Sequence, residues 1–209
     1  MQVIEKGGAN PDLVVVGSVH GDEPSGKKAV ERLQNKYHKF QKPVKFIVAN
    51  EKALSQGTRY VDKDLNSSFP GDPKSDEHEE RLAHKISKHV EGKTVLDLHS
   101  TRSTDKPFAN IKDLSQESKN LVRSTGVENS TCFEEESGVL IEMGSPGVLV
   151  ETGPQGTEQA AEKSLNILEN FLACEGYIDR DATEAIQTSS DTLKQFMATG
   201  SSRPPTTAK

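Results

Sequence analysis

The sequence predicts an α/β protein with a central mixed, largely parallel sheet flanked by helices. Three observations carry this. Short apolar, β-branched runs alternate with helical patterns along most of the chain, as in chains of βαβ units. The run Leu13 to Val19 is apolar at nearly every position, as expected of a strand buried on both faces. Several runs also end in residues that carry chemistry: His20 and Glu23 after the first, His99 after another and Glu151 in a third. In open α/β sheets, ligands bind at the carboxyl ends of the strands.

The bulk numbers bound the class. A length of 209 residues suits one domain with its own core. The apolar fraction is 32% and the net charge is −6. That charge argues against a nucleic-acid partner, which calls for a basic surface, and it is too mild for an acidic disordered chain. Cys132 and Cys174 are the two cysteines, with no CxxC spacing. Two thiols in a reducing compartment or one disulfide both fit. The N-terminal Met1-Gln-Val-Ile-Glu-Lys has no secretory signal pattern, and no apolar run reaches membrane-spanning length. The expectation is a soluble, cytoplasmic protein with no membrane partner.

The elements follow in order. Residues 13–19 read as a buried strand and 25–37 as an amphipathic helix, with Ala29, Val30, Leu33 and Tyr37 on one stripe. Residues 43–49 are a second strand, and Glu51 to Leu54 a short helical turn. A loop from Gln56 to Pro73 carries Gly57, Pro70, Gly71 and Pro73; loops of that length in compact domains are often functional. Residues 76–91 form a helix with acidic residues first and basic ones later, which suits its dipole. A strand from Thr94 ends at His99-Ser-Thr, and a polar loop runs from Thr101 to Ala109. Leu114 to Thr125 is a helix with Ser115 as its cap. A strand is expected at Val139 to Met143, another from Gly147 to Pro154, and the clearest helix of the chain at 158–173. Residues 1–176 form the candidate catalytic domain. Residues 177–198 are a short extension, with room for one more helix at 179–198, and 199–209 have a disordered composition.

Two histidines and one glutamate are the protein ligands of a catalytic zinc that keeps its fourth position for water. His20-x-x-Glu23 alone is equally an ordinary polar turn, and His99 alone an ordinary strand-end histidine. Together, each placed just after a β run, they form a candidate site. Asp97, two residues before His99, is a candidate hydrogen-bond partner for a ligand. Glu151 lies in an apolar strand end, where a carboxylate needs a partner or a task; a salt bridge and a general base are the two readings. Arg59 and Asn66 in the long loop read as solvent-exposed or as groups that polarise and bind a substrate.

The motifs His20-Gly-Asp-Glu23-Pro, Arg59-Tyr-Val-Asp-Lys-Asp-Leu-Asn66-Ser-Ser-Phe-Pro-Gly, Asp97-Leu-His99 and Val150-Glu151-Thr-Gly-Pro-Gln resemble, in this order, the succinylglutamate desuccinylase/aspartoacylase family. The resemblance implies a zinc carboxypeptidase-like fold. It implies one zinc ion per chain on His20, Glu23 and His99, and Glu151 as the general base that takes a proton from the attacking water and gives it to the leaving amine. Arg59 then helps polarise the scissile carbonyl, and Asn66 helps hold the substrate carboxylate. The implied activity is a zinc-dependent deacylase acting on an N-acyl amino acid or a related small amide.

Two departures from the family pattern stand out. The family's Asn-Arg pair is Asn66-Ser67 here, and serine cannot supply the bidentate guanidinium. Arg102, just past His99, is a candidate substitute, though a solvent-exposed role fits it equally. Family members also carry a C-terminal β-rich domain over the active site, whereas residues 177–209 are polar, so that domain is expected to be absent or vestigial. A zinc carboxypeptidase-like peptidase and a catalytically inactive binding module of the same fold are the alternatives. The missing arginine counts against the peptidase, and the intact set of ligands with Glu151 against the inactive module.

Overall fold

The structure is a computed structural model describing residues 1–132, 139–180 and 194–195. Its centre is one mixed sheet. The strands are β1 (Gln2–Lys6), β2 (Leu13–Gly17), β3 (Val44–Val48), β4 (Thr94–Thr101), β5 (Phe108–Ile111), β6 (Asn129–Cys132) and β7 (Gly147–Pro154), with a two-residue strand β8 (Lys194–Gln195) beside β6. Their order is β1-β3-β2-β4-β7-β5-β6-β8. β1 on β3 and β5 on β7 are antiparallel, and the other pairings are parallel. The expected mixed, largely parallel sheet is therefore present.

The helices are α1 (Ser25–Lys36), α2 (Glu51–Gln56), α3 (His78–Val90), α4 (Gln116–Thr125), α5 (Leu140–Met143) and α6 (Glu158–Cys174). Alternation along the central strands sorts them into two layers. Val15, Leu96, Leu98, Val148 and Val150 pack with side chains of α1, α4 and α6. Val14, Val16, Val95 and Leu149 pack with side chains of α3 and α5. Burying each such side chain contributes about 1.5–3 kcal/mol, so the two layers together fix the sheet. Ser115 caps α4 as expected, accepting from the Ser118 N–H at 3.1 Å. Thr157 caps α6 in the same way, accepting from Ala160 N–H.

Several expectations are corrected. Residues 139–143 are not a strand: Leu140–Met143 is one helical turn, and Leu140 and Ile141 turn into the core under β4 and β7. A short apolar run does not by itself distinguish the two states. The polar stretch to Ala109 is not loop to its end, because β5 begins at Phe108 and pairs with β7. His99 lies within β4, not past it. β1 and β6 carry no continuous apolar signal; β1 is an edge strand with most side chains exposed. The helix expected at 179–198 and the tail 199–209 fall outside the described residues, apart from 179–180 and 194–195. No helix among the described residues is long and apolar enough to cross a membrane.

Candidate active site

β2 ends at Gly17 and the chain turns at once. Ser18 adopts a left-handed backbone with φ 56°, and its hydroxyl donates to the Glu23 carbonyl at 3.1 Å. A non-glycine residue holds such a conformation only when its surroundings impose it. Glycine is required at position 21, because a Cβ there would lie 2.1 Å from the Ala53 carbonyl carbon of α2. The Gly21 N–H donates to the Arg59 carbonyl at 3.0 Å. The turn bearing His20 and Glu23 is thus wedged between α2 and the loop that carries Arg59. Asp97 and His99 come from one face of β4, the face toward α3 and α5.

These elements bring His20, Glu23 and His99 together. One potential ligand atom from each lies within 4.8 Å of the others, and all three residues are buried. Glu23 is the centre. Its Oε1 is 2.8 Å from His20 Nδ1, and its Oε2 is 3.1 Å from His99 Nδ1. Oε2 also accepts the Ser100 N–H at 3.0 Å, and Oε1 accepts from Arg59 Nη1 at 3.2 Å. Each ring has a second carboxylate behind it. His20 Nε2 is 3.2 Å from Asp64 Oδ1, and His99 Nε2 is 2.9 Å from Asp97 Oδ2.

Burial disfavours charge on all these groups, and the network overrides it for most. Burial alone would lower the pKa of both histidines; Asp64 and Glu23 hold His20 above its ordinary value, and Asp97 and Glu23 hold His99 well above. Burial alone would raise Glu23, but hydrogen bonds from His20 and His99 hold it well below the usual carboxylate range. Asp64 is held low in the same way by His20 and Arg59. Glu151 differs: burial pushes its carboxyl up, and the nearby His99 offsets only part of that.

The donor set fits a divalent cation. Two imidazoles and one carboxylate are one of the three-ligand sets found in catalytic zinc sites. Both Nδ1 atoms face Glu23, so a cation between them would replace the protons shared there. Asp64 and Asp97 on the far nitrogens fix the ring orientations, the arrangement metal-binding histidines normally have. The reading of Asp97 as a hydrogen-bond partner of a ligand thus matches the geometry. Asp64 was missed as an individual residue, although it lies within the quoted loop motif.

Glu151 stands directly across from His99 in the β4–β7 register. Its Oε2 is buried and has no hydrogen-bond partner among the described residues. His20, Glu23, Arg59, Asn66, His99, Arg102 and Glu151 line one cavity of about 570 Å³, and Asp97 lies behind His99 outside its lining. Arg59 is bound to two carboxylates, with Nε donating to Asp64 Oδ2 at 2.8 Å. Arg102 lies at the rim with its side chain 81% exposed and one guanidinium nitrogen 3.6 Å from Asp22. Its Nε donates to Gln155 Oε1 at 2.8 Å. Ser67 turns its hydroxyl back to the Asp64 carbonyl at 3.0 Å. Two further cavity residues, Asn110 and Gln155, were missed. Gln155 closes the last quoted motif, whereas Asn110 lies in β5, a strand with no clear sequence signal.

A three-layer α/β sheet with a His-Glu-His cluster at the strand ends defines the class, a zinc carboxypeptidase-like fold. The model of the succinylglutamate desuccinylase/aspartoacylase catalytic domain matches residues 9–174, and the chain belongs to that family. It is similar to an N-acyl-aromatic-L-amino acid amidohydrolase (carboxylate-forming) of Xenopus tropicalis, 34% identical over 110 residues, which is 46% of this chain and 36% of that protein. It is also similar to a probable aspartoacylase of Prochlorococcus marinus, 32% identical over 68 residues, covering 32% of this chain and 23% of the relative. Among solved structures, a succinylglutamate desuccinylase/aspartoacylase from Rhodobacter sphaeroides superposes with a TM-score of 0.75 at 21% identity, over 95% of this chain and 65% of that one. The matches thus cover about a quarter to a third of the length of the two curated relatives.

Proposed function

We propose that this chain is a zinc-dependent amidohydrolase that deacylates an N-acyl amino acid or a related small amide. The observation that carries the reading is the juxtaposition of the His20–Glu23–His99 cluster with Glu151 in one cavity. Membership of the family and the name of the Xenopus relative support it.

His20, Glu23 and His99 would hold the metal. A zinc ion bound there supplies a Lewis acid that makes water more acidic and polarises a carbonyl. Glu151 accepts the proton of the attacking water at Oε2, a buried atom with no hydrogen-bond partner among the described residues, and delivers it to the leaving nitrogen. The C–N bond breaks, the water oxygen ends in the product carboxylate and the amine leaves with the proton. A carboxyl with a raised pKa suits both halves of this transfer. Arg59, fixed by Asp64 and Glu23, directs its guanidinium at the developing charge on the carbonyl oxygen. Asn66 binds the substrate, and Arg102 supplies at the rim the positive charge that Ser67 does not.

The test combines metal content with turnover. Protein purified without chelator is expected to carry about one zinc per chain, and His99→Ala to lose it. Zinc-loaded protein is then offered a panel of N-acyl amino acids and short peptides. Release of free amino acid from the acyl compounds supports the reading. Cleavage of peptides alone would replace it with the peptidase, and stoichiometric zinc without turnover of any amide with the binding module.

A further inference from the structure

Glu79 belongs to the acidic first turn of α3, which reads in the sequence as a match to the helix dipole. In the structure its side chain is fully buried. The carboxylate accepts from three consecutive backbone amides of the long loop: Val61 N–H to Oε1 at 2.7 Å, Asp62 N–H to Oε2 at 2.9 Å and Lys63 N–H to Oε2 at 3.3 Å. Oε1 also accepts from Asn50 Nδ2 at 2.9 Å.

Both sets of partners lead to the active site. On one side, Arg59 and Asp64 flank the three amides, and Asp64 holds both His20 and Arg59. On the other, the Asn50 N–H donates to the Ser18 carbonyl at 3.0 Å, in the turn that carries His20 and Glu23. Asn50 also caps α2, accepting from the Ala53 N–H at 3.2 Å, and α2 is the helix against which Gly21 packs. One carboxylate thus ties the loop bearing Arg59, Asp64 and Asn66 to the turn bearing two candidate metal ligands.

We propose that Glu79 is a positioning residue of the active site: by clamping residues 61–63 to α3 and Asn50, it sets where Arg59 and Asp64 stand relative to His20 and Glu23. The clamp rests on geometry alone; its effect on turnover rests on the amidohydrolase reading. The loop contains two glycines and two prolines and only one short 3-10 turn, Leu65–Ser67, so its own secondary structure cannot hold it. The buried Glu79 carboxylate needs donors, because a buried charge left without them is costly. A carboxylate meets four donors with two oxygens that only accept. Glutamine at this position would turn an NH2 group toward one pair of donors.

Glu79→Gln separates the possible roles. Amide hydrogen exchange, which needs no substrate, is expected to speed up at residues 59–66 in the variant while β2, β4 and β7 stay protected. Unchanged exchange in that loop overturns the clamp, whether or not the protein is an enzyme. With an amide that the wild type turns over, kcat/KM is expected to fall at least about tenfold. A double-mutant cycle with Arg59→Ala supplies the readout that lost stability alone would not move. If Glu79 acts through Arg59, the second substitution adds little once the first is made. Fully additive losses, or a loss explained by lower metal content alone, would overturn the positioning role. Glu79→Asp keeps the two acceptors and is expected to recover part of the activity. No wild-type turnover combined with loop-specific exchange would overturn the hydrolase reading and leave the clamp standing.

Discussion

Glu151 and His99 face each other across two parallel strands, register partners in the β4–β7 pairing. Side chains at paired positions of neighbouring strands share a face. The carboxylate therefore reaches the candidate metal centre from rigid sheet and not from a loop. Strand placement also buries it, which is why its pKa is pushed up.

Glu151→Gln is expected to keep the metal and the fold and to lose turnover by about 10²–10⁴-fold, the usual cost of removing a general base. Metal content and kcat measured on the same preparation check this. Full activity in the variant would remove Glu151 from the mechanism.

The metal-free protein should carry a distinct pH signature. His20 and His99 are held above the ordinary histidine value of 6.5. Their contribution to stability is complete below that pH and is lost as pH rises through the folded-state values. Glu23 is held below its ordinary 4.5, so its contribution is complete above 4.5 and is lost as pH falls through its folded-state value. Chelated protein is therefore expected to be most stable between these limits, with Tm declining toward neutral and alkaline pH. Zinc binding requires deprotonated imidazoles and so strengthens over the same rise. Tm scans with and without zinc check both slopes, and a flat chelated profile from about pH 5 to 8 would contradict the assignment.

Gly21→Ala tests the wedge between the ligand turn and α2. The added Cβ would fall 2.1 Å from the Ala53 carbonyl carbon and 2.3 Å from the Leu54 nitrogen, both backbone atoms. Overpacking of this kind costs about 1–3 kcal/mol. The strain falls on the turn that carries two candidate ligands, so zinc affinity is expected to drop at least about tenfold. Competition titration against a chromogenic chelator reads that loss, and circular dichroism checks that the sheet persists.

Arg102→Ala should act on binding and not on chemistry. The side chain is 81% exposed and its neighbours are Asp22 and Gln155. Its removal is expected to leave Tm unchanged and to raise KM about tenfold for substrates with a free carboxylate, the value of one charge-assisted hydrogen bond partly screened by water. Neutral amides should show no change. An equal effect on both substrate types would mean that Arg102 does not read the carboxylate.

The sequence by itself determined the central strands, the long helices and which polar residues stand at the strand ends. β2 and β7 are legible because strands buried on both faces must be apolar nearly throughout, and α6 because a helix on one sheet face repeats its apolar residues at helical spacing. His20, Glu23, His99 and Glu151 stand out because polar residues at the ends of such runs need a reason to be there. Only the tertiary structure decided the rest. Short or exposed strands such as β1, β5 and β6 form because a neighbouring strand supplies their hydrogen bonds, a contribution no local pattern records. Asp64 becomes a support of His20, and Glu79 a buried acceptor of loop amides, through contacts between residues up to 44 positions apart. A surface carboxylate and a buried one are the same letter in a sequence. Their difference lies in which donors the fold brings to them.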